Sequence, residues 1–284
     1  MFKDLITELR PRQWIKNFFV FAPLIFAKKF FDLDSLENSL AAFFCFCAVS
    51  SGVYLINDLV DLEADQKHPL KKNRPLAAGK IKTSTAIFSA ILFLILGIGG
   101  GFFINLNFGL AVLSYLVLNL GYSWYFKKKV IWDVIFPALG FVIRVIAGAV
   151  AIKVVFSSWL LLCTFFLTLF LAIGKRKNEF LNVSGNSTRG VLASYSLSLL
   201  DQMSVVVLPS TLITYALYTF SSGHSVWLIG TIPFVLYGLF RYLLIVDRKQ
   251  ESDDGPTDDL LMDRPLQITV LAWVMVVLII LIKL

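Results

Sequence analysis

Cysteine, histidine and charged residues are all scarce in this chain, and each scarcity excludes a class of site or fold. The 284 residues include three cysteines and two histidines, so we expect neither a zinc site nor a disulfide framework. Cys45, Cys47 and Cys163 lie within apolar runs, where cysteine packs as a small hydrophobic residue. Charged residues make up 16% of the chain and hydrophobic residues 57%. This composition predicts a polytopic membrane protein, with the lipid bilayer as its surroundings.

Long hydrophobic runs, by contrast, are abundant. A helix needs about 20 residues to cross the hydrocarbon core of a bilayer, and nine runs approach or reach that length. The first run is short and contains Pro23, so it is expected to tilt, kink or extend at either end. We predict an all-α fold with nine transmembrane helices and one integral-membrane domain over residues 1–284. The runs cover approximately residues 18–31, 39–57, 84–104, 107–125, 131–152, 157–174, 203–221, 225–245 and 266–283.

The positions of lysine and arginine predict the orientation. With the N-terminus in the cytoplasm, 20 of the 26 basic residues fall in cytoplasmic segments and four fall outside, as the positive-inside rule requires. The C-terminus is then outside, and every long polar loop is cytoplasmic. Topology therefore explains most of the net charge of +7, and we expect no nucleic-acid partner. The acidic segment 247–264 lacks regular ligand spacing and is predicted to be a solvated linker.

An acidic segment directly after the second run is the strongest indication of chemistry. Successive helical residues turn by about 100°, so Asn57, Asp58, Asp61 and Asp65 fall on one stripe of a helix. Three carboxylates on one stripe repel each other, and a shared cation would remove that repulsion. Hard oxygen ligands suit Mg²⁺ held against a diphosphate. The alternative is a solvated acidic start to a loop.

Basic and aromatic residues follow the acidic stripe and begin the next cytoplasmic segment. Arg74 lies in the loop after the stripe, and Tyr122 and Lys127 lie where the fourth span ends. Cations close to carboxylates suit a phosphorylated ligand, with metal on one side of the phosphates and Lys or Arg on the other. The alternative is positive-inside charge with an aromatic belt.

Arg144 is the charge placed deepest in a predicted span. It follows Asp133 by 11 residues, which puts both on one helix face with Arg144 roughly 16 Å deeper. A charge at that depth costs a few kcal/mol unless it faces a polar cavity or a partner. We predict an anion-binding cavity, with a structural ion pair as the alternative. Lys175 and Glu179, where the sixth span ends, are also predicted to share a face.

Three motifs together resemble the UbiA prenyltransferase superfamily. They are Asn57-Asp58-x-x-Asp61-x-x-x-Asp65, Arg74-Pro75-Leu76-Ala77-Ala78-Gly79 and Tyr122-Ser123-x-x-x-Lys127. The resemblance covers nearly the whole chain. It implies a bundle of nine transmembrane helices around a central cavity that opens to the cytoplasm. It also implies Mg²⁺ held by Asp58, Asp61 and Asp65 as the cofactor.

One segment departs from the usual pattern of that superfamily. Aromatic prenyltransferases carry a second Asp-x-x-x-Asp motif after the sixth span, where this chain has Lys175-Arg176-Lys177-Asn178-Glu179. Extra cations suit a donor with an additional phosphate. This segment and the opening Arg10–Asn17 resemble the branch that transfers 5-phosphoribose from 5-phosphoribosyl 1-diphosphate to a decaprenyl-type polyprenyl phosphate.

The resemblance to that branch implies a bacterial inner-membrane enzyme that supplies lipid-linked arabinose donors for cell-envelope glycans. Two other functions remain open at this stage. One is prenyl transfer to an aromatic acceptor, and the other is a transporter that uses Arg144 and the acidic stripe. The substrate-binding residues implied for the phosphoribosyl branch are Lys16, Asn57, Arg74, Tyr122, Lys127, Asp133, Arg144, Lys175, Arg176, Lys177 and Glu179.

Overall fold

The computed structural model describes residues 2–67, 71–181, 190–221, 225–248 and 260–283. Within those ranges the regular structure is helical throughout, which confirms the predicted all-α class. Most of the predicted acidic linker, residues 249–259, lies outside the described residues.

Eight helices are long and apolar enough to cross a membrane, counted over the described parts of the chain. Each coincides with one of the predicted runs from the second to the ninth, because a local excess of apolar residues marks a span directly. A short N-terminal helix α1, Phe2–Glu8, precedes them. The long helices are α3 Leu33–Val60, α5 Thr83–Ile104, α6 Leu106–Trp124, α7 Trp132–Ala151, α8 Ser158–Leu181, α9 Leu197–Ser221, α10 Ile232–Arg248 and α11 Arg264–Lys283. The span that contains α10 is Val226–Arg248, because the 3₁₀ helix Val226–Thr231 leads directly into it.

The first predicted run takes a different form. A 3₁₀ helix covers Pro11–Phe21 and leads directly into the short helix α2, Ala22–Phe26. The helical segment therefore begins seven residues before the predicted start at residue 18 and ends five before residue 31. Buried polar side chains explain the earlier start, since Gln13 and Asn17 face the interior. The count of nine spans stays a prediction.

The chain divides into two compact units. Unit 1 comprises residues 1–24, 29–127 and 143–154, and unit 2 comprises residues 25–28, 128–142 and 155–284. The border falls within α7, whose first half belongs to unit 2 and whose second half belongs to unit 1.

Unit 1 has a core of buried side chains around α3, with Val20, Phe46, Phe108 and Tyr115 among its members. Helices α3 and α5 pack closely because glycine removes a side chain from their contact. A β-carbon at Gly97 would lie 2.4 Å from Val49 Cγ2. Nearer the end of α3, where the acidic segment lies, Leu55 packs in a separate buried cluster with Leu76.

Unit 2 has its own core, which includes Phe170, Ile173, Leu200 and Tyr242. The Tyr242 hydroxyl donates a hydrogen bond to the Leu171 carbonyl at 3.0 Å. These contacts pack α8 against α9 and α10 and position the basic end of α8.

Candidate active site

The acidic segment spans the boundary between two helices, and its arrangement on a single stripe stays a prediction. Helix α3 ends at Val60, Asp61 has φ −94° and ψ 7°, and the short helix α4 covers Leu62–Lys67. The four-residue hydrogen bonds continue across the break, from Asp61 N–H to Asn57 O at 2.9 Å and from Asp65 N–H to Asp61 O at 2.8 Å. Asp58 and Asp65 are both buried, whereas the Asp61 side chain is 39% exposed.

Asp58 is held by an arginine from the N-terminal segment. Nη2 of Arg10 lies 2.6 Å from both carboxylate oxygens of Asp58. The Arg10 guanidinium also lies over the Tyr54 ring, 5.4 Å from its centroid. The Arg10 backbone is left-handed, with φ 54° and ψ 59°. This conformation costs energy for any residue except glycine. The contacts with Asp58 and with the Tyr54 ring therefore hold the Arg10 side chain in place.

Arg74, predicted to bind substrate, bridges two of the three predicted metal ligands. Its Nη1 lies 3.2 Å from Asp58 Oδ1 and 2.7 Å from Asp65 Oδ2. The loop that carries Arg74 is fastened by a backbone contact, because Leu76 N–H donates to Glu8 Oε2 at 3.3 Å. One guanidinium nitrogen thus occupies the space between two buried carboxylates.

The end of α6 supplies contacts to the remaining residues of the acidic segment. Lys127 Nζ lies 2.6 Å from Asp61 Oδ1, and the Ser123 hydroxyl donates a hydrogen bond to the Asn57 side chain. Tyr122 is partly buried beside Ser123. The structure therefore brings together the first and third of the three sequence motifs.

Glu8 was not predicted as a site residue, although it belongs to this cluster. It is 2% exposed. Burial and the neighbouring Asp58 carboxylate raise the pKa of Glu8 from 4.5 to about 7. Arg10 was likewise not predicted, although it lies within the N-terminal segment that carries the resemblance. Neither could be found from spacing, because both reach the acidic segment through contacts between residues far apart in the chain.

Arg144 lies in a buried polar network within unit 1. Its Nε donates to Asn17 Oδ1 at 2.8 Å and its Nη2 to the Tyr115 hydroxyl at 2.8 Å. The guanidinium also lies 4.6 Å from the Tyr115 ring centroid. Asn17 in turn donates to Ser50 Oγ at 3.2 Å. These neutral partners orient the guanidinium. Lys16, the neighbour of Asn17 on the same 3₁₀ helix, is partly buried.

Asp133 and Arg176 form a buried ion pair in unit 2. Arg176 Nε lies 3.2 Å from Asp133 Oδ2, and Arg176 also pairs with Glu179. The Tyr195 hydroxyl donates to Asp133 Oδ1 at 2.7 Å and accepts a hydrogen bond from Ile131 N–H at 2.8 Å. The pKa of the Tyr195 hydroxyl is raised. Burial is the larger cause, and the hydrogen bond with Asp133 is the second.

The other cations at the end of α8 have different surroundings. Lys177 Nζ lies 3.0 Å from Asp201 Oδ1 and 3.6 Å from Asp247 Oδ1. Lys175 is partly buried. The placement of Lys175 and Glu179 on one face stays a prediction, and Glu179 pairs with Arg176, a contact that was not expected.

Comparison with known families settles which one this arrangement represents. Residues 18–258 match the UbiA prenyltransferase family. The chain belongs to the UbiA prenyltransferase family. Membership of a family of transferases makes the protein an enzyme, which removes the support for the transporter alternative. The family assignment and the eight apolar helices also make it an integral membrane protein.

Relatives within the UbiA family align over almost the whole chain. Decaprenyl-phosphate phosphoribosyltransferase of Corynebacterium glutamicum is 36% identical over 95% of this chain and 84% of its own length. The protein of the same name in Mycobacterium tuberculosis is 32% identical over 95% of this chain and 91% of its own length. The structure of a UbiA homolog from Archaeoglobus fulgidus bound to DMAPP and Mg²⁺ has a TM-score of 0.72 and 21% identity. It covers 99% of this chain and 100% of that one, a likeness of fold alone.

The UbiA fold raises the question of whether this acidic segment suits a divalent cation. Within the described ranges, no group of three or more His, Cys, Asp or Glu side chains is arranged to hold a metal ion. Two carboxylates nevertheless fit one, because Asp58 and Asp65 both lie within 3.2 Å of a single nitrogen of Arg74. Carboxylate oxygens are the ligands that Mg²⁺ prefers. Asp61 pairs with Lys127, and its role as a third metal ligand stays a prediction.

Proposed function

We propose that this chain transfers 5-phosphoribose from 5-phosphoribosyl 1-diphosphate to a polyprenyl phosphate and releases diphosphate, with Mg²⁺ as its cofactor. The relatives named decaprenyl-phosphate phosphoribosyltransferase support the proposal, because the similarity extends over 95% of the chain. The observation that carries it is the alternation of carboxylates and cations in one cluster, with Arg74 between Asp58 and Asp65. Such a cluster can hold a diphosphate together with a divalent cation.

We assign the leaving diphosphate to three cations of the cluster. Arg10, Arg74 and Lys127 each lie on one or more of the acidic side chains. Charge-assisted hydrogen bonds to phosphate are stronger than those between neutral groups, and arginine binds phosphate through two parallel bonds. Mg²⁺ held by Asp58 and Asp65, with Asp61, would neutralise charge on the leaving group.

The proposed reaction makes modest demands on acid and base groups of the protein. Breaking the bond between the anomeric carbon and diphosphate gives an oxocarbenium-like transition state, as in other glycosyl transfers. The acceptor is a phosphate and is already anionic at neutral pH, so no strong general base is required. Asn57 is fixed by Ser123 and offers a neutral hydrogen-bonding group for the bound substrate, as does Tyr122.

The ribose 5-phosphate needs a further cationic site. Lys175, Arg176 and Lys177 are the candidates on α8, with Arg144 and Lys16 for a phosphate elsewhere. Asp133 and Glu179 already hold Arg176, and Asp201 and Asp247 hold Lys177. We propose all three α8 cations as ligands of this phosphate and give Asp133 and Glu179 the part of positioning Arg176.

The proposed setting follows from the same family. The chain would act as one transferase domain in the bacterial inner membrane, with its acidic segment and N-terminus at the cytoplasmic surface. The polyprenyl tail would lie in lipid or between helices. Its product would serve the synthesis of lipid-linked arabinose donors for cell-envelope glycans.

A second candidate is transfer of a prenyl group from its diphosphate to an aromatic acceptor. The family name favours this candidate. The basic end of α8 argues against it, because a prenyl diphosphate has no third phosphate that could bind those cations.

Diphosphate release by purified, detergent-solubilised protein separates the two candidates. We expect release that requires Mg²⁺, 5-phosphoribosyl 1-diphosphate and a long polyprenyl phosphate together and that stops when a chelator is added. No release with these substrates, but activity with a prenyl diphosphate and an aromatic acid, would identify the second candidate instead.

A further inference from the structure

A single arginine nitrogen lies where two acidic side chains converge. Nη1 of Arg74 is 3.2 Å from Asp58 Oδ1 and 2.7 Å from Asp65 Oδ2. The two carboxylates come from different helices, since Asp58 lies in α3 and Asp65 in α4. Both are buried. A cation that binds both carboxylates must therefore take the position that the guanidinium holds.

We propose that Arg74 and a divalent cation compete for Asp58 and Asp65, and that a bound diphosphate ends this competition by accepting the guanidinium. The proposal rests on the proposed function and adds the order of binding at the same site. Metal alone binds weakly, because it must displace a positive charge from two carboxylates. Metal with diphosphate binds well, because the phosphate oxygens give Arg74 another anionic partner.

Arg74 rather than Arg10 is the exchangeable cation. Arg10 contacts both oxygens of Asp58 at 2.6 Å and lies over the Tyr54 ring, so three contacts hold it in place. Arg74 belongs to a loop in which the described residues, 71–82, have regular structure only in the 3₁₀ turn Lys71–Asn73. Its side chain is 21% exposed. The hydrogen bond from Leu76 N–H to Glu8 anchors the loop backbone. The side chain can therefore move while the loop stays in place.

The competition has two consequences of opposite sign. Removing the guanidinium should strengthen metal binding in the absence of substrate, because Arg74 then no longer neutralises Asp58 and Asp65, and Arg10 alone remains on Asp58. The same change should slow turnover, because the diphosphate loses one of its cations. Linkage requires that Arg74 weakens metal binding by the same factor by which metal weakens the contact of Arg74 with the carboxylates.

Binding of Mn²⁺, measured by the electron paramagnetic resonance signal of the free ion, tests the proposal without any turnover. The protein is the full chain in detergent with no substrate added. We expect Arg74→Gln to lower the Kd for Mn²⁺ by about tenfold, which corresponds to about 1.4 kcal/mol. The control is Lys72→Gln, which removes the same charge from an exposed position of the same loop. It should change the Kd by less than about threefold, as expected for a screened surface charge.

An unchanged or raised Kd in Arg74→Gln, or an equal change in both variants, would overturn the proposal. If Arg74→Gln does not stay monodisperse, Arg74→Lys replaces it. Lysine keeps the charge but lacks the planar donor array, so we expect a Kd between wild type and the predicted tenfold change. A wild-type value there would also overturn the proposal. Tighter Mn²⁺ binding by the variant in a protein that transfers no phosphoribose would retain the competition and refute the proposed function.

Discussion

Neighbouring cations on α8 are predicted to differ sharply in their contribution to stability. Arg176 pairs with Asp133, which is 1% exposed, whereas Lys177 pairs with Asp201 and Asp247, which are 49% and 72% exposed. Removing one partner of a buried pair leaves a charge without compensation and costs about 3–5 kcal/mol. An exposed pair contributes about 0–1 kcal/mol. We therefore expect Arg176→Gln to lower the Tm strongly and Lys177→Gln to lower it little.

Thermal unfolding of the two variants in the same detergent, followed by tryptophan fluorescence, measures the difference. The double variant Asp133→Asn with Arg176→Gln removes both charges and should recover part of the loss, because neither charge is then left buried alone. Equal Tm values for the two single variants would refute the reasoning. A raised KM for 5-phosphoribosyl 1-diphosphate with an unchanged Tm in Arg176→Gln would show that Arg176 binds substrate directly.

Three further predictions concern unit 1. Gly148→Ala should destabilise the protein by about 1–3 kcal/mol in thermal unfolding, because its β-carbon would lie 2.0 Å from the Val20 carbonyl oxygen; Gly99→Ala, where nothing lies within 4 Å, should not. Asp58→Asn should abolish turnover while membrane insertion, assessed by yield in the membrane fraction, stays normal; near-normal turnover would remove the metal role. The raised pKa of Glu8, about 7 against 4.5, means that the folded protein binds its proton more tightly. Its contribution to stability is therefore complete below pH 4.5 and lost as the pH rises towards 7. With chelator present, Glu8→Gln should reduce the fall in Tm between pH 4.5 and about pH 7. Equal slopes of Tm against pH in the wild type and the variant would contradict this prediction.

The spans were predictable because the signal for each is local. An excess of apolar residues over about 20 positions marks a membrane helix without reference to any other segment. The bounds of the first run could not be predicted from its apolar residues, for a physical reason. Its helical segment begins at Pro11 and includes Gln13 and Asn17, which are buried. Asn17 is satisfied by Arg144 and Ser50 from other helices, and hydropathy along one segment carries no information on such partners.

The acidic residues were predictable as a group, and their pairing was not. The four-residue spacing of Asn57, Asp61 and Asp65 survives in the backbone hydrogen bonds across the end of α3. The helix break and the choice of cation for each carboxylate depend on segments far away in the sequence. Arg10 reaches Asp58 over 48 residues and Lys127 reaches Asp61 over 66. Long-range contacts of this kind become visible only in the folded chain.

The fate of the donor phosphates tests the proposed activity most directly. The donor would carry ³³P in its 5-phosphate and ³²P in its diphosphate, and the purified protein would receive Mg²⁺ and a polyprenyl phosphate. We predict that ³³P enters the lipid extract while ³²P appears in the aqueous phase as free diphosphate, and that both changes require the lipid acceptor. Lipid without ³³P, from a folded protein that moves a prenyl group from its diphosphate to an aromatic acid, would contradict the account.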